Sequence, residues 1–200
     1  MDITSLTLVN PHHRCRYVNA IIQTCVCGTN GAPLLVKCER MPESLLTRLL
    51  RRLYNLWPCY WGTGVRLKYI AKDFREIRLE VPFNWRTRNY VGTVFGGSIY
   101  GAVDPVYMLM LIKNLGPGYE IWDKAASIRF RKPGRSTLYA RFTLDEQEIR
   151  RIQEELTKAG STDRIYTVDL TDDEGTACAT VEKTIHIRRK EALGRREKQF

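Results

Sequence analysis

Between Gly92 and Ile112 the chain carries one ionisable carboxylate or ammonium, Asp104. Gly96 and Gly97 stand eight and seven residues before it, and Ser98 follows them. Two adjacent glycines let another molecule approach the backbone closely. A helix starting there would offer unpaired N–H donors and the positive end of its dipole. The backbone N–H of Gly97 or Ser98 could then hold the oxyanion formed when an acyl carbonyl is attacked. Asp104, about two turns further on, could orient or deprotonate a water. If it is buried, its carboxylate must be hydrogen-bonded or its pKa must rise. Pro105 supplies a second reading. Inside a continuous helix it would lose the bond to Gly101 and kink the helix, whereas Asp104 as N-cap and Pro105 as first residue of a new helix is a purely structural arrangement. Both readings stand on the sequence.

Other side chains also carry two readings. Ser98 lacks the G-x-S-x-G elbow of a nucleophile and fits small-residue packing at a helix start. Arg86, Arg88, Lys132 and Arg135 fall in expected loops, where they could hold phosphates or simply be solvated. Trp85, Tyr90, Tyr100 and Trp122 could line an acyl or adenine pocket or pack in the core. His186, between Ile185 and Ile187, reads as a surface or interface histidine. Of the six cysteines, Cys15, Cys25, Cys27 and Cys38 lie in the first forty residues with spacings of ten, two and eleven. That pattern matches no zinc site, even with His12 and His13 nearby, so no metal is expected.

The elements that must position these residues follow from periodicity. The first forty residues show none, and they read as an atypical extension or as sequence upstream of a protein that begins at Met41. From Met41 an amphipathic helix is expected, with Pro42 and Glu43 in its first turn and Pro58 stopping it; it fills 41–59. Residues 60–187 read as one domain. Val65–Ala71 and Glu76–Pro82 alternate as half-buried strands. Gly92–Leu115 reads as a helix buried all round, with Ile99, Val103, Val106 and Met110 at helical spacing. Four strands follow, Ile121–Arg131, Ser136–Leu144, Arg164–Leu170 and Thr176–Ile187, with an exposed helix over Asp145–Ala159 inserted and capped by Gly160. The class is α+β, an antiparallel sheet wrapped around one helix.

Length and charge bound the rest. Two hundred residues suit one well-cored domain. No apolar run approaches the ~20 residues that cross a bilayer, and no secretory leader is visible, so a cytoplasmic location is the default. A net charge of +10 suits a protein that meets anions. The tail 188–200 is basic but contains Glu191 and Glu197; it reads as a solvated end, and nucleic acid is not the expected partner.

The strand order and the stretch Gly92-Thr93-Val94-Phe95-Gly96-Gly97, closing at Asp104, resemble the hotdog-fold acyl-CoA thioesterase superfamily. The continuation Asp104-Pro105 and the segment Lys124–Pro133 resemble its uncharacterised bacterial branch, domain of unknown function 4442. The resemblance implies hydrolysis of an acyl-CoA or similar thioester. It gives catalytic roles to Asp104, Gly97 and Ser98, and puts Phe95, Gly96, Tyr100, Arg86, Arg88, Lys132 and Arg135 around the substrate. It also implies a homodimer or homotetramer with the site between protomers, and no cofactor beyond the coenzyme A of the substrate. Phe95 departs from the histidine usual there, which keeps open a non-catalytic acyl-CoA- or fatty-acid-binding protein.

Overall fold

The computed structural model describes Thr24–Cys27, Leu34–Lys37 and residues 42–190. The chain divides into two units, Met1–Arg40 and Met41–Phe200. In the first, β1 (Thr24–Cys27) pairs antiparallel with β2 (Leu34–Lys37). The first forty residues show no periodicity because four-residue strings are too short to show one. Cys15, Cys38, His12 and His13 lie outside the described residues, as does the tail beyond Lys190.

The second unit holds a six-stranded sheet in the order β3-β4-β6-β7-β8-β5, antiparallel throughout. The strands are β3 (Arg66–Ile70), β4 (Glu76–Val81), β5 (Tyr119–Phe130), β6 (Leu138–Thr143), β7 (Ser161–Thr171) and β8 (Ala177–Arg189). The last strand therefore takes in Arg188 and Arg189, the start of the expected tail. β6 and β7 meet at one bridged pair, Tyr139 with Thr171, whereas β7 and β8 pair along their whole length. Ile77, Leu79, Phe142, Val181 and Ile185 of the sheet form one buried cluster with Ile99, Val103, Val106 and Met110 of the central helical segment. This is the hotdog architecture.

The central segment is two helices, α3 (Gly96–Val103) and α4 (Val106–Leu115), rather than one. Pro105, without an N–H, separates them. Nor is the segment buried all round: Gly97, Tyr100, Asp104, Met108 and Ile112 leave a half-open stripe. α5 (Glu146–Ala159) is capped by Asp145, whose carboxylate accepts from Glu148 N–H at 2.6 Å, and ends at Gly160 in the left-handed region.

The N-terminal helix α1 (Leu45–Leu56) starts later than its sequence suggests. Ser44 and Thr47 form a reciprocal capping box, which outcompetes a start at Pro42. Pro58 ends α1 and also opens a short second helix, α2 (Pro58–Thr63), closed by Gly64 at φ 77°. α1 covers the outer edge of β3 through polar contacts. Asn55 Nδ2 donates to Leu67 O at 3.0 Å, and Asn55 Oδ1 accepts from Leu67 N–H at 2.7 Å. Glu43 accepts from Ile70 N–H at 3.0 Å and from Arg51 Nε at 2.9 Å. These side chains stand in for a missing neighbour strand. Asn55→Ala should leave both backbone groups of Leu67 unpaired and cost about 1–3 kcal/mol in urea unfolding; an unchanged midpoint would show that water replaces the amide.

Candidate functional site

The loop before α3 is held by two local knots. Thr87, fully buried, bonds Pro82 O and Asn84 through its hydroxyl, and its carbonyl accepts from Phe95 N–H at 2.7 Å. Asn89 accepts from Thr93 N–H at 3.0 Å. Val94 N–H then donates to Gly134 O at 2.8 Å, tying the loop to the turn after β5. The chain so fixed delivers Phe95 as N-cap of α3 with no side-chain cap bond. Ile99 is the first residue to donate back into the helix, to Phe95 O at 3.1 Å. The N–H groups of Gly96, Gly97 and Ser98 precede that first bond, so the helix start retains donors.

The glycines serve packing here. A Cβ on Gly97 would come within 2.3 Å of the Phe95 ring, and one on Gly96 within 2.9 Å of Phe130. Both rings are themselves more than half exposed. They wall a cavity of about 540 Å³ that Val94, Gly96, Ile99 and Lys132 also line. Lys132 pairs with Asp172 at 3.1 Å at its edge. Arg86 lies over the Trp61 ring at 4.7 Å, and neither it nor the exposed Arg88 and Arg135 lines the cavity. Trp85 and Tyr90 are exposed, and Trp122 leans on His186 at 4.5 Å between ring centres. His186 in turn bonds Asp163. Ser98 is buried at the helix start.

At the other end of α3, Asp104 continues the helical bonding, its N–H donating to Tyr100 O at 3.0 Å. Its backbone is helical, and α4 has no side-chain N-cap. The N-cap reading is therefore overturned: the carboxylate points elsewhere. Asp104 Oδ1 accepts from Lys183 Nζ at 2.8 Å, and Asp123 Oδ2 accepts from the same nitrogen at 3.0 Å. The Tyr100 hydroxyl lies 3.5 Å from Nζ, and the ammonium stands over its ring at 5.2 Å. Tyr100 thus belongs to this cluster and does not line the cavity.

Lys183 is fully buried, while 46 % of the Asp104 side chain remains exposed. Burial pulls the Lys183 ammonium towards its neutral form, but the two aspartates more than offset this and hold it above its ordinary 10.5. Burial and the nearby Asp104 charge raise Asp123, against the pull of Lys183. Burial also raises the Tyr60 hydroxyl, and the charge of Asp104 raises it further.

Lys183 and Asp123 escaped the sequence reading. Period-two alternation could have found the first: Ala179, Val181, Lys183, Ile185 and Ile187 share the inward face of β8. Asp123 turns inward at a bulge, where the register skips Lys124. No local pattern marks that bulge.

A family model, "Domain of unknown function (DUF4442)", matches residues 47–187. The chain belongs to this family. Solved structures share its fold. A protein of unknown function and probable thioesterase from Pseudomonas aeruginosa is 21 % identical, with a TM-score of 0.64 over 76 % of this chain and 99 % of that one. A thioesterase from Haemophilus influenzae is 16 % identical, at 0.55 over 76 % and 97 %. A protein of unknown function from Chlorobaculum tepidum is 14 % identical, at 0.59 over 72 % and 95 %. The comparison with curated proteins gave no match.

Lys183→Met should leave two carboxylates facing each other without a counter-ion and cost about 3 kcal/mol in urea unfolding at neutral pH. The loss should shrink in acid, where a raised carboxyl takes up a proton. In the parent protein, while its aspartates stay ionised, the contribution of Lys183 is complete below pH 10.5 and is lost as pH rises through its higher folded-state value. A substitution cost that is the same in acid and at neutrality would refute the charge account.

Proposed function

We propose that the protein is a cytoplasmic, homo-oligomeric hydrolase of an acyl-CoA or similar acyl thioester. The observation that carries this reading is α3 itself. One end starts with N–H groups that have no partner within the helix, where Gly96 lines an apolar cavity and Gly97 is the next residue, and the other keeps a half-exposed carboxylate in a fixed orientation. The Gly97 or Ser98 N–H would hold the thioester oxygen as it becomes an oxyanion. Seven helical residues put Asp104 about 10 Å from the Gly97 N–H, so in an oligomer with the site between protomers it is the partner subunit's Asp104 that would take a proton from water as the water oxygen bonds the acyl carbon. The C–S bond then breaks, the thiolate leaves as coenzyme A after protonation, and a carboxylic acid remains. Lys183 fixes the position of Asp104 and is a positioning residue in this scheme. Arg131 and Lys132, which both line the cavity, are the cations placed for a phosphate of coenzyme A.

An oligomer is supported by β5, which ends the sheet with Ala125, Ala126 and Ser127 exposed, and by the half-open stripe on α3 and α4. Sedimentation should give at least twice the monomer mass, and a monomer at assay concentration rejects this part. A second reading, acyl-CoA or fatty-acid binding without turnover, is favoured by one observation: the Phe95 ring lies against Gly97, whose N–H the chemistry needs, and Phe130 against the neighbouring Gly96.

A panel of short-, medium- and long-chain acyl-CoAs separates the two. Hydrolysis with kcat lowered about 10²–10⁴-fold by Asp104→Asn is the expected result. Turnover that ignores the substitution removes the mechanism, and saturable binding with no turnover establishes the rival.

A further inference from the structure

α1 is amphipathic, yet it presents its apolar side to solvent. Leu45, Leu46, Leu49, Leu53 and Leu56 are 51–82 % exposed. At ~100° per residue they fill one arc of about 100°. The opposite side holds Thr47, Leu50, Tyr54 and Asn55, turned towards β3. The orientation is locked, because the polar bonds of Asn55 and Glu43 to β3 are possible only with this face inward. The leucine row is thus a fixed surface of the folded domain.

Its borders define what it meets. Arg48 and Arg52, both exposed, run along one flank of the leucine arc. Residues 45–56 contain no acidic side chain; Glu43 is held by β3 and Arg51 and lies 3.9 Å from Arg48, whose side chain stays half exposed. Past the helix end, Trp57 and Trp61 are each 62 % exposed. A leucine face with an arginine flank and adjoining tryptophans suits the boundary between acyl chains and anionic headgroups. The net charge of +10 adds long-range attraction to such a surface. Antiparallel pairing of two copies through this face would instead set each arginine flank against its own symmetry mate, at a cost in repulsion.

We propose that α1 and the tryptophans after it dock the folded protein onto anionic membrane surfaces. No helix among the described residues is long and apolar enough to cross a membrane, so this contact would be peripheral. It does not depend on the thioesterase reading, since none of its residues belongs to the cavity or to the Asp104 cluster.

The test uses the full chain and flotation with phosphatidylcholine vesicles, plain or containing about one-third phosphatidylglycerol. Binding should favour the anionic vesicles about tenfold and weaken with salt. Leu49→Ser/Leu53→Ser should reduce binding about tenfold, and Arg48→Gln/Arg52→Gln should lower the anionic preference several-fold. The leucines are exposed, so circular dichroism and the melting midpoint should hold in both variants. The proposal is overturned by no flotation, by equal binding to the two vesicle types, or by leucine variants that bind like the parent. An oligomer that the leucine variants dissociate also overturns it, because a second copy would then be the occupant.

Discussion

A lysine ammonium with no solvent contact sits on a sheet face otherwise made of Ala179, Val181, Ile185 and Ile187. Removing such a charge from water costs several kcal/mol and is tolerated only with partners in good geometry. Here the partners come from two other elements, Asp104 at the end of α3 and Asp123 at the bulge of β5. The break at Pro105, the bulge at Lys124 and the inward lysine of β8 are therefore one arrangement. Each would be a defect without the others. Two carboxylates around one ammonium leave the cluster a single negative charge, and the half-exposed Asp104 carries it towards solvent.

The two ends of α3 are built on opposite principles. At its start the backbone is left without helical partners, and aromatic rings pack against its two glycines. At its end every charged group is engaged, and orientation comes from pairing. A helix of eight residues separates them, which is short enough to transmit position rigidly.

The strands were legible because alternation survives burial on one face, and most boundaries fall within a few residues of their sequence estimates. Asp104 was legible because it is the lone charge in an apolar stretch. Its role was not, since the choice between capping and pairing rests on Lys183, seventy-nine residues away in sequence. The orientation of α1 was equally hidden. An amphipathic helix ordinarily buries its apolar face, and only the unsatisfied edge of β3, a tertiary feature, draws the polar face inward. The hairpin of β1 and β2 was missed for a simpler reason, the brevity of its strands.

The seam between β6 and β7 has a consequence for how the domain moves. With one bridged pair, backbone hydrogen bonding hardly couples the two halves of the sheet. Tyr107 of α4 does so through its ring, stacked on Tyr166 of β7 at 4.5 Å and edge-on to Phe142 of β6 at 5.2 Å. Its hydroxyl is pushed up to about 12 by burial, so the ring stays neutral across the physiological range. A side-chain keystone of this kind can be displaced without breaking a strand. A displacement of α4 would therefore move this ring against both halves of the sheet at once.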